Sequence, residues 1–103
     1  MNKSENVEYK TLEQQIMALW KSRGLEVQTI RFQFATKTPD GDVLEWIIHA
    51  KGKGKVKKQQ IQELWESRGI EVRTIQFQVA AKSPAGDTYE WIIHAKRKTE
   101  VKK

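Results

Sequence analysis

The chain writes one unit twice. Ile16-Met17-Ala18-Leu19-Trp20 lies over Ile61-Gln62-Glu63-Leu64-Trp65 at an offset of 45 residues, and the register runs without a gap from Gln14 and Gln59 to Lys58 and Lys103. Roughly two-thirds of the paired positions are identical. A short unit present only twice has no array of neighbours in which to bury its apolar face, so the copies are expected to pack on each other. At 103 residues and with no cysteine, two separately folded halves would lack both a core and staples. The expectation is one domain over residues 1–103, with repeat 1 at about 11–55 and repeat 2 at about 56–100.

Within a unit, Leu12, Ile16, Leu19 and Trp20 recur at helical spacing with Glu13, Gln14, Lys21 and Ser22 opposite them. Thr11 followed by Gln14 reads as a capping box that starts this helix, and Gly24 as its left-handed stop. The second helix carries Ile61, Leu64 and Trp65, closes at Arg68-Gly69 and shows no evident cap at its start. Met17 and Ala18 become Gln62 and Glu63, which assigns those positions to solvent.

Strict alternation follows. Ile30, Phe32 and Phe34 interleave with Thr29, Arg31, Gln33 and Ala35, the pattern of a half-buried strand. Thr38-Pro39-Asp40-Gly41-Asp42 and Ser83-Pro84-Ala85-Gly86-Asp87 read as bulged hairpin turns, each with glycine where φ must be positive. Setting Thr38 opposite Asp42 places Phe34 against Trp46, Phe32 against Ile48 and Ile30 against Ala50, all on one apolar face. In the second copy Ile75, Phe77, Val79, Trp91, Ile93 and Ala95 point the same way. The opposite faces are mostly polar, as in an antiparallel sheet covered on one side.

Two such units predict an α+β fold: a tandem αββ repeat forming a four-stranded antiparallel sheet with two helices on one face. The tryptophan strands, near 43–51 and 88–96, are placed at the centre and the strands near 28–37 and 73–82 at the edges. In layout, not in sequence, this is a permuted ferredoxin-like arrangement with a pseudo-two-fold axis. Gly52-Lys53-Gly54-Lys55 reads as a flexible hinge between the copies.

The chemistry-bearing residues are few. His49 and His94 fall at equivalent places on the polar face. With Ile47 opposite Ile92 they face Glu90 and Glu45; one residue of slippage would instead set each histidine beside an isoleucine. The first register offers an acid–base or metal pair, or simply surface cross-strand pairs. Two histidines without cysteine make a poor zinc site, and no nucleophile has a base beside it, so neither an enzyme nor a cofactor is expected. The four tryptophans lie on apolar stripes and are assigned to the core, which leaves the polar sheet face without an aromatic platform for stacking bases.

Charge is the remaining signal. The chain carries +6 with a pI near 9.7. Lys51, Lys53, Lys55, Lys57 and Lys58 form one cluster, and Lys96, Arg97 and Lys98 another, each following a central strand. With Arg31 and Arg73 they frame the open face as a non-catalytic surface for the phosphates of DNA or RNA, or else they serve only to solubilise a loop and a tail. The alternative to a nucleic-acid module is a ligand-free scaffold, engineered or recently duplicated, a monomer or a homodimer joined through Ile47, His49, Ile92 and His94. No apolar run approaches the roughly 20 residues of a membrane span, and without a signal-like segment or cysteines the setting expected is cytoplasmic.

Overall fold

A computed structural model describes residues 2–39 and 41–97. The order is α1 (Asn2–Ser22), β1 (Leu25–Thr38), β2 (Gly41–Gly52), α2 (Lys58–Glu66), β3 (Ile70–Ala81) and β4 (Asp87–Arg97). The four strands form one antiparallel sheet in the order β1-β2-β4-β3, so the tryptophan strands are central and pair with each other. The α+β architecture and its strand order are those expected from packing two αββ units together.

Helix α1 begins at Asn2, and Thr11 therefore lies inside it and is not its cap. No glycine or proline stands between Asn2 and Leu12, so nothing in the backbone stops the helix there. At the other end Gly24 takes φ +83 and its N–H donates to Lys21 O at 3.1 Å. Helix α2 does have a local starting device: the Lys57 N–H donates to Gln60 Oε1 at 3.0 Å, half of a capping box.

The hairpin register differs from the sequence expectation by two residues. Thr38 pairs with Gly41, and a shift between Phe34 and Thr36 then sets Phe34 opposite Leu44, Phe32 opposite Trp46 and Ile30 opposite Ile48. A bulge leaves one residue outside the ladder, so one extra residue at Ala35 adds to the one-residue tighter turn. Two single steps restore parity, so Ile30, Phe32 and Phe34 keep their expected face, while Thr36 and Thr38, beyond the bulge, fall on the open side. The second hairpin repeats this with Val79 opposite Tyr89, Phe77 opposite Trp91 and a shift between Val79 and Ala81.

Both helices pack on the tryptophan side of the sheet, forming one core. Leu12, Ile16 and Trp20 from α1 and Ile61 and Trp65 from α2 are all fully buried, as are Trp46, Ile48 and Ile93. The contacts cross between halves. Trp20 meets Trp91 of β4 edge-on at 5.3 Å, and Trp65 meets Trp46 of β2 edge-on at 5.5 Å. T-shaped aromatic pairs add to the stabilisation from area burial alone. Phe34, Phe77 and Val79 lie on this face yet remain 54 %, 53 % and 44 % exposed, because they sit on edge strands toward the hairpin ends and α2 spans only nine residues.

The segment after β2 is a close crossing and not a loose hinge. A Cβ on Gly54 would lie 1.4 Å from the Arg23 carbonyl oxygen, and one on Gly52 would lie 2.3 Å from that of Gly24. The second copy has Arg97 and Thr99 at the corresponding positions, and Gly69, which matches Gly24, has no neighbour within 4 Å. Glycine is kept where one backbone must pass against another.

Candidate functional site

The uncovered face of the sheet is organised in rows that cross all four strands. The central row is Arg31, Ile47, Ile92 and Gln76. On one side of it lies Gln33, Glu45, His94 and Thr74; on the other, Thr29, His49, Glu90 and Gln78. Pairing of Ile47 with Ile92 therefore selects the first of the two registers open from sequence.

Each flanking row is a chain of hydrogen bonds. The Gln33 amide donates to Glu45, whose other oxygen lies 2.9 Å from His94 Nε2, while His94 Nδ1 lies 3.3 Å from Thr74 Oγ1. In the opposite row the Gln78 amide donates to Glu90, His49 Nε2 lies 3.0 Å from Glu90 Oε2, and His49 Nδ1 lies 3.2 Å from Thr29 Oγ1. The Gln33 amide, then His94 and the nearby Arg31 charge, hold the Glu45 carboxyl below its usual range. The two histidine–glutamate pairs lie to either side of the isoleucine row, and among the described residues no group of three or more His, Cys, Asp or Glu could hold a metal ion.

The charges on this face balance. Arg31, Lys51 and Lys96 belong to it by register, and Arg73, at a register shift of β3, reaches Glu71 at 3.7 Å. Facing them are Glu26, Glu45, Glu71 and Glu90. With four of the chain's 19 basic residues and four of its 13 acidic ones here, the face is neutral and the rest of the chain carries the whole +6.

The basic residues singled out from sequence thus separate into groups. Lys51 and Lys96 occupy opposite ends of the open face, about 27 Å apart over eight residues of strand. Lys53, Lys55, Lys57 and Lys58 follow the chain away from that face to the helix layer, where Val56 packs on the core and Lys58 begins α2. Arg97 closes β4 opposite Ile70, and Lys98 lies outside the described residues.

One grouping was not legible in the sequence. The Gly54 crossing lays the linker on the C-terminal end of α1, so exposed Lys21 and Arg23 join exposed Lys53, Lys55, Lys57 and Lys58 at one end of the helix layer. An open pocket of about 500 Å³ borders this cluster, lined by Met17, Lys21, Gly24, Leu25, Glu26, Val27 and Lys51. The second copy has Glu66 in place of Lys21, and the counterparts of Lys53, Lys57 and Lys58 lie outside the described residues. The clue available beforehand was the pair of glycines at 52 and 54, where the second copy has Arg97 and Thr99.

Among the described residues no helix is long and apolar enough to cross a membrane. Comparison with protein-family models, with curated proteins and with solved structures gives no match to this chain.

Proposed function

We propose that this chain is a non-catalytic module that binds the phosphate backbone of nucleic acid, and that the linker cluster is its contact surface. The observation that carries the reading is the close packing of Gly54 on Arg23, which joins Lys21 and Arg23 to Lys53, Lys55, Lys57 and Lys58. Six exposed cations from two chain segments gather at this end of the helix layer, with Glu26 and Asp87 at its borders, whereas the open sheet face is neutral. Phosphate contacts of this kind hold DNA and RNA alike and carry no base information. The histidines serve the sheet: each is tied to a glutamate and a threonine on a flat face that does not exclude water.

The test is a salt-titrated mobility shift with duplex DNA, duplex RNA and single strands of random sequence. Affinity is expected to fall steeply with salt, with a log–log slope no steeper than about −5 for six phosphate contacts on duplex DNA. Failure to retard any of these nucleic acids at low ionic strength would overturn the reading.

A further inference from the structure

We infer that the open sheet face is a homodimer interface, and that its occupant is the same face of a second copy. A molecule of net charge +6 repels its own copies over most of its surface. The open face is the exception, since its four cations and four carboxylates cancel. Self-association through it avoids the repulsion that any approach through the linker cluster would meet.

The composition of the face suits burial. Ile47 and Ile92 form a half-buried apolar pair at its centre. The polar groups beside them already satisfy one another: Glu45 and Glu90 each accept from a glutamine amide and meet a histidine, so covering them strips away little unreplaced hydrogen bonding. Size also fits. Four strands at about 4.8 Å spacing and about 27 Å of strand give roughly 500 Å² per copy, or about 1,000 Å² in total, the lower bound for a specific interface. A two-fold axis in the plane of contact would lay each isoleucine pair across its counterpart, with the sheets crossed near 30° as in aligned sheet packing.

The experiment is light scattering of the full chain over a concentration series, together with the Ile47→Lys/Ile92→Lys variant and, as a milder change, Arg31→Glu. Circular dichroism checks that each variant is folded. The wild type is expected to be a dimer whose thermal midpoint rises with concentration. The double variant is expected to weaken the dimer at least about 30-fold, with duplex binding through the linker cluster retained. If the double variant is unfolded, weakening by Arg31→Glu supports the interface and an unchanged dimer refutes it. A wild type that stays monomeric at high concentration overturns the inference, as does a dimer that survives in the folded double variant. Loss of duplex binding in a folded variant would assign the face to nucleic acid and overturn it too. Failure of all duplex binding with the dimer intact would refute the proposed function alone.

Discussion

The carboxylate of Glu45 and the imidazole of His94 meet at 2.9 Å across the junction of β2 and β4, 49 residues apart in the chain. Together with the reciprocal pair His49 and Glu90 they tie the two hairpins into one sheet. Glu45 is held below its ordinary value of 4.5, first by the Gln33 amide and then by His94. A depressed carboxyl stabilises the fold above its unfolded pKa, and that contribution is lost as pH falls through the folded value. Wild type is therefore expected to lose more stability than Glu45→Gln between about pH 5 and pH 3. At neutral pH the variant should cost about 1 kcal/mol or less, as for other cross-strand pairs. Urea unfolding at the two pH values measures both.

The linker crossing gives an ordering of glycine variants. At Gly54 an added methyl group would meet the Arg23 carbonyl at 1.4 Å, whereas at Gly69 it meets nothing within 4 Å. Gly69→Ala suffers mainly the left-handed backbone penalty at φ +77, about 1–2 kcal/mol. Gly54→Ala must move backbone against backbone and is expected to be the more destabilising, by about 2 kcal/mol or more. Denaturant midpoints of the two variants decide the order.

Because Trp65 packs on Trp46 of the other half, damage to α2 should reach the first hairpin. Trp65→Ala is expected to cost about 3–5 kcal/mol. Amide exchange should accelerate in β2 as well as in β3, and unfolding followed by far-ultraviolet dichroism and by fluorescence should coincide. Protection retained in β2 while β3 opens would show that the halves unfold independently.

Removing four linker charges should change the salt dependence as well as the affinity. With Lys53, Lys55, Lys57 and Lys58 all replaced by glutamine, the log–log slope for duplex DNA is expected to flatten by about 3–4. Lys51→Gln with Lys96→Gln, on the neutral sheet face, should leave the slope nearly unchanged. The same shift assay reads both.

Element identity and the side-chain faces were legible because they depend on period alone, and the strand order because two αββ units sharing a core place the tryptophan strands at the centre. Alternation in Ile30-Arg31-Phe32-Gln33 and helical spacing of Ile16, Leu19 and Trp20 are local properties of the chain. The pairing of His49 with Glu90 was one of two readings, since only the final docking of β2 on β4 distinguishes registers that differ by one residue. The starting point of α1 and the bulge at Ala35 were not legible. A polar run without glycine or proline is compatible with either a helix or a tail, and a bulge is selected by how the sheet twists under its helices.

The sequence by itself determined that the halves share one core, because each unit presents an apolar face too large to leave in water and has no other partner for it. Tertiary structure alone decided which charges from distant segments come together. The lysines after β2 and the basic end of α1 are some thirty residues apart in the chain. They become one surface because the backbone of Gly54 passes directly against that of Arg23, a contact made when α1 and the β1–β2 hairpin of the first unit fold together. Pairing of β2 with β4 then joins four cations and four carboxylates on one open face, leaving it neutral on a strongly basic protein.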